Sequence, residues 1–189
     1  MMKIAIFVLG VVAFAASAEP ITLKGLAPGM TKEQLENTAP QFTLNCREAK
    51  GEAGVETCGY YPKLQGPSIP ALDTLAGAPV QGWVAIVKNG IANTISVRLA
   101  SSEFDRVSAA LREKWGKPAG EESSTIQNRV GAKFNQTELT WRVDAAILVV
   151  KQRSSNVDTM GIFLSTEKMV ADFGRDRREV KPKQDAKDL

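Results

Sequence analysis

Histidine is absent from all 189 residues. That removes the Ser–His–Asp triad, the Cys–His dyad and every imidazole-ligated metal site. Cysteine occurs only twice, too few for a zinc site of sulfur ligands alone. No glycine-rich phosphate loop and no dense Asp/Asn calcium loop is present. The sequence therefore calls for no cofactor and no metal. Aromatic residues make up only 6% of the chain, and no apolar run after the first fifteen residues is long enough to span a membrane. A membrane-spanning helix needs about 20 apolar residues, so nothing later in the chain is expected to cross a bilayer. One-sided charge is also lacking. The chain carries 24 basic and 21 acidic side chains. Setting aside Lys3 and the tail, residues 19–174 balance, which leaves no electrostatic footprint for nucleic acid.

What is present begins with an address. Lys3, an apolar stretch from Ile4 to Ala15, and Ala16-Ser17-Ala18 read as a secretory signal over residues 1–18. No cysteine follows closely to take a lipid. Residues 19–174 form one domain, and 175–189 are a mixed-charge, nearly apolar-free tail with the composition of a disordered end. The brevity of the signal points to a periplasmic protein. Cys46 and Cys58, with eleven residues between them, fit an oxidising compartment as a structural disulfide rather than free thiols or a C-x-x-C redox pair. Such a crosslink is worth about 3 kcal/mol in the chain-entropy model.

Local patterns give a helix–strand order. Thr31-Lys32-Glu33-Gln34 is a capping box, which predicts a helix over about 32–38, ended by Pro40. Phe42, Leu44 and Cys46 alternate with polar residues. A turn at 50–54 and a return from Val55 to Tyr60 complete a hairpin stapled by the disulfide. Four prolines mark 61–81 as a long irregular connection, either functional or mobile. Asn89-Gly90 predicts a two-residue type I′ turn. A regular register then opposes Lys88 to Ile91, Ile86 to Asn93 and Val84 to Ile95. It puts Trp83, Ala85 and Val87 on a mixed face with Thr94, Ser96 and Arg98. Phe104, Val107, Leu111 and Trp115 form a helical stripe after Ser101-Ser102, closed by Gly116 and Pro118. Strands follow over Ile126 to Phe134, from Leu139 to Val143, in the apolar run Ala146 to Gln152, and around Met160, Ile162 and Leu164. A turn is expected at Asn135-Gln136. Ser165 caps a short helix to Phe173. The class is α+β.

The segment from Gly25 to Leu35, with its Gly29-Met30-Thr31 core, resembles the opening of SmpA/OmlA-type and β-lactamase-inhibitor-protein-like domains. The block from Phe104 to Pro118, ending Trp115-Gly116-Lys117-Pro118, resembles the helix and G-x-P of the same families. The resemblance implies two helices packed on one face of an antiparallel sheet. It also implies an exported bacterial protein that binds other proteins through its open sheet face or its loops. The chain departs from the pattern in lacking a lipid-anchor cysteine and in carrying the 61–81 insertion.

The functional expectation is a non-enzymatic periplasmic protein that binds another periplasmic or outer-membrane protein, as an inhibitor or an assembly factor. Trp83, Tyr60, Tyr61 and Arg98 are the candidate contact residues. Trp83 either anchors the interface from an exposed position or is covered by the 61–81 segment. The alternative is a small-molecule or lipid carrier with an apolar cavity under that segment. A third class is an acyl enzyme. Ser165-Thr166-Glu167-Lys168 matches S-x-x-K, in which a lysine deprotonates a serine one helical turn away. No K-T-G follows it, and an N-cap explains Ser165 more simply.

Overall fold

The computed structural model describes residues 21–40, 42–50, 52–62, 74–128 and 130–169. The expected signal segment, the tail and the part of the expected last helix beyond Met169 lie outside the described residues, as does the stretch 63–73.

Helix α1 (Lys32–Thr38) starts where the capping box places it. The Gln34 amide donates to Thr31 Oγ1 at 3.2 Å, and the Thr31 amide donates to Gln34 Oε1 at 2.8 Å. Those two bonds satisfy donors that a helix start otherwise leaves open. Leu35 is fully buried, and Met30 packs against the same core. Strands β1 (Phe42–Glu48) and β2 (Val55–Pro62) form the first hairpin, with Cys46 directly opposite Cys58 and bonded to it. The short β3 (Thr74–Leu75) turns into β4 (Ala78–Lys88). The 61–81 connection is therefore shorter than its prolines suggest, because both of its ends are strand.

Strand β5 (Ile91–Ala100) follows the Asn89-Gly90 turn, whose φ angles of 51° and 80° fit type I′. The regular register fails after two pairs. Val87 opposes Ala92, and then Ile86 opposes Thr94, so Asn93 is left over in a β-bulge. One extra residue exchanges the faces of everything beyond it. Trp83 now opposes Val97 and Ala85 opposes Ile95. All the larger apolar groups of both strands except Val84, Ile86 and the turn-flanking Ile91 share the buried side. Burial of Trp83 with Ile95, Val97 and Leu99 stabilises this register over the regular one.

Helix α2 (Phe104–Trp115) follows a single 3₁₀ turn and ends at Gly116, whose φ of 74° suits a residue without Cβ. Phe104, Val107 and Leu111 are buried and Trp115 is half-buried, as the stripe predicts. The second half continues as β6 (Gly120–Gln127), β7 (Lys133–Val143), β8 (Ala146–Lys151) and β9 (Thr159–Thr166). The turn between β6 and β7 is at 128–132, not at Asn135-Gln136. Asn128 Oδ1 accepts from the Val130 and Ala132 amides, and Gly131 has a φ of 88°. Asn135 and Gln136 lie inside β7.

All strand pairings are antiparallel, in the order β1-β2-β4-β5-β9-β8-β7-β6 with β3 on β4. The order is palindromic. A helix and four strands (α1, β1, β2, β4, β5) are followed by a second helix and four strands (α2, β6, β7, β8, β9). The last strands of each set, β5 and β9, meet at the centre. Val97 pairs with Ile162 there. One continuous row on the core face runs Cys46, Cys58, Ala85, Ile95, Leu164, Leu148, Trp141. Both helices pack on this side, so the fold is the α+β class with helices on one face of an antiparallel sheet. Ile21, Leu23 and Leu26 complete the core from a short segment with a bridge between Leu23 and Leu26. No sequence pattern marked that segment as structural.

Candidate functional site: the open face of the sheet

Side chains that alternate with the core rows point to the other side, where no described helix packs. One row there runs Gly59, Val84, Ser96, Phe163, Val149, Thr140. The adjacent row holds Gly82, Arg98, Gly161 and Lys151. Val84, Ile86, Val149 and Phe163 are half-buried on this face, and Ile147 is almost fully buried. An apolar centre with a polar rim is the ordinary composition of an interaction patch.

Two glycines shape the middle of the patch. A Cβ on Gly82 would lie 3.0 Å from a terminal nitrogen of Arg98, so the guanidinium rests across the bare backbone of β4. A Cβ on Gly161 would lie 2.7 Å from the Phe163 ring, so that ring lies along β9 over the second glycine. Arg98 opposes Gly161 and Phe163 opposes Ser96, which makes Arg98 and Phe163 diagonal neighbours across the β5–β9 seam.

Charges divide into paired and unpaired. Lys151 Nζ is 2.8 Å from Glu138, and Arg142 is 3.3 Å from Glu167. Arg98 is exposed and has no hydrogen-bond or ion-pair partner among the described residues, and the same holds for Arg47 and Lys88 on this face. A guanidinium laid flat, without a carboxylate, beside apolar groups can take a carboxylate through two parallel N–H donors.

Of the sequence candidates, the structure places only Arg98 on this surface. Trp83 and Tyr60 are 4% and 7% exposed. Both face the core, so the reading of Trp83 as an exposed anchor is corrected by the bulge at Asn93. Burial, and secondarily Glu36, push the Tyr60 hydroxyl well above the ordinary phenol range. The Tyr61 side chain lies outside what is described. So does most of the segment over the cavity expected of a carrier. Phe163 was missed because alternation in β9 selects Met160, Ile162 and Leu164 and discards the residues between them. Its signal was size, since an aromatic out of phase in a buried strand implies that both faces carry apolar side chains.

Ser165 is the penultimate residue of β9, not a helix cap. Its hydroxyl is buried and lies 2.9 Å from that of Thr94. The cap is Thr166, whose Oγ1 accepts from the Met169 amide at 3.3 Å. The one-turn helical geometry that S-x-x-K chemistry uses is thus not the geometry of Ser165. Among the described residues, no cluster of three or more His, Cys, Asp or Glu side chains is placed to hold a metal, and no helix is long and apolar enough to cross a membrane.

None of the family models, functionally described proteins or solved structures with which the chain was compared matches it.

Proposed function

We propose that the chain is an exported, non-enzymatic binding protein that docks a periplasmic or outer-membrane protein on the open face of its sheet. The observation that carries this reading is the centre of that face. An unpaired guanidinium and a half-buried phenylalanine ring lie flat there over two glycines, with Val84 and Val149 beside them. Side chains already held flat lose little rotamer freedom on docking, which favours affinity. Arg and aromatic residues are also the types that dominate interface energetics. The signal-like segment at 1–18 and the two blocks that resemble exported binding domains support the same reading.

The test is photocrosslinking in the cells that make the protein. A photoreactive amino acid replaces Phe163 in one variant and the exposed Glu113 of α2 in another. The expected result is one dominant protein adduct from position 163 and none from 113. An adduct formed only from 113 would place the partner on the helical side and refute the open-face reading.

A further inference from the structure

We infer that the partner presents a carboxylate flanked by apolar side chains, an acidic protein segment, and that Arg98 is the residue that selects it. This rests on the open-face reading and adds the chemistry of what docks there.

Charge on the face carries the inference. Arg47, Lys88 and Arg98 lack carboxylate partners, whereas Glu138 is committed to Lys151. Glu122, in the edge strand β6, is the one carboxylate of the face without an ion pair among the described residues. It stands at the far end of the row that runs from Arg98 through Gly161, Lys151 and Glu138. The unpaired charge near the centre is therefore positive. Like-charge partners are rejected and acidic ones favoured.

The surroundings of Arg98 narrow the class. Its guanidinium lies on Gly82, and Gly161 beside it offers no side chain that could screen it. The Phe163 ring and Val149 flank the position on the β9 and β8 side. A carboxylate reaching Arg98 brings its own neighbours onto those apolar groups. A segment with acidic and apolar residues in alternation fits, since alternate side chains of an extended strand share one face. A bare phosphate satisfies the guanidinium but leaves the apolar groups uncovered. A basic segment opposes all three unpaired cations.

The experiment uses the isotope-labelled full chain and two synthetic probes. One is a capped pentapeptide in which leucine alternates with glutamate, and the other has lysine in place of each glutamate. Amide shifts report the site, and titration reports affinity. The glutamate peptide is expected to shift Ser96, Arg98, Val149 and Phe163 and to bind more tightly than the lysine peptide. Arg98→Gln is expected to weaken it about tenfold. Arg98→Glu is expected to reverse the preference. Arg98 is exposed and unpartnered, so both variants should keep the parent spectrum elsewhere, which the same data show.

Equal binding of both peptides, no binding of the glutamate peptide at millimolar concentration, or an affinity unchanged in Arg98→Gln overturns the inference while leaving the open-face reading to its crosslinking test. Binding to anionic phosphatidylglycerol vesicles with none to the glutamate peptide overturns it in favour of a lipid surface. Shifts confined to α2, around Arg112 and Glu113, sink both readings together.

Discussion

Gly161 is the residue on which most of the open face depends. An added methyl would meet the Phe163 ring at 2.7 Å and the Ser154 Cβ at 2.9 Å. The ring would have to lift and the β8–β9 loop would have to move. Gly161→Ala is expected to cost about 1–3 kcal/mol of stability in urea unfolding, in the range of overpacked sites. Gly82→Ala meets only the far end of the Arg98 side chain and no backbone, so its stability should stay within about 0.5 kcal/mol of the parent. Gln136 acts over the same loop. Its side-chain amide donates to the Arg153 carbonyl and accepts from the Arg153 amide, both at 2.9 Å, as a neighbouring strand would. Gln136→Ala leaves both groups without those bonds. A loss of about 2 kcal/mol is expected, with faster hydrogen exchange over 152–158. Tyr60 gives a pH dependence. Its hydroxyl resists ionising in the fold but ionises near pH 10 when the chain unfolds. Its contribution is intact below pH 10 and is lost as pH rises above it. Urea midpoints should fall between pH 8 and pH 11, and by less in Tyr60→Phe. Equal falls in both proteins would refute the assignment to Tyr60.

At the scale of elements, the bulge at Asn93 makes an unusual forecast. Deleting one residue from a strand ordinarily exchanges its faces and ruins the core. Deleting Asn93 removes the residue left over beside the turn and leaves Val87 opposite Ala92 and Ile86 opposite Thr94. That deletion should preserve the near-ultraviolet signature of buried Trp83 and cooperative unfolding, whereas deleting Ser96 should abolish both. The same bulge marks the boundary of what the sequence made legible. Capping residues, the Asn-Gly turn, the stripe of α2 and the alternation of β7 and β9 are local signals, and each element formed where its signal lay. The cysteine pair was equally readable, because Cys46 and Cys58 oppose each other in a plain hairpin. The register of β4 on β5 depended on which arrangement buries more, a tertiary quantity that no turn motif encodes. Strand β6 was legible only at its end. Gly120 to Thr125 form an edge with exposed polar side chains, so no apolar alternation announces them. Of the candidate site, Arg98 was named, but on a face assigned by the wrong register. Phe163 and the glycines beneath the two side chains needed the fold.

At the scale of the whole molecule, two helix-plus-four-strand sets share one sheet through a single seam. Ile162 lies on that seam, fully buried, opposite Val97 on one side and Val150 on the other. Truncation to alanine should cost about 2–5 kcal/mol. Because the core is continuous across the seam, the loss is expected in one unfolding transition rather than two. Separate transitions for the two sets would mean that they are independent domains. The sets are fastened differently. The outer strand of the first is crosslinked to its neighbour by Cys46–Cys58, whereas the outer strand of the second is held by its ladder and by Arg112 to Glu121 at 2.9 Å.

The palindromic strand order also sets a timetable for the growing chain. The first set is complete in sequence once Ala100 has left the ribosome, yet β5 then has no neighbour on its inner edge. That neighbour is β9, the last described strand to be synthesised, after a helix and three other strands. Throughout that interval the nascent chain carries a ten-residue strand, apolar on its core face, with open backbone donors and acceptors, the feature most prone to pairing with another copy. In cell-free synthesis of the chain without residues 1–18, a ribosome stalled before Thr159 should therefore display a species that holdase chaperones bind. A stall far enough beyond Thr166 for β9 to emerge should release it.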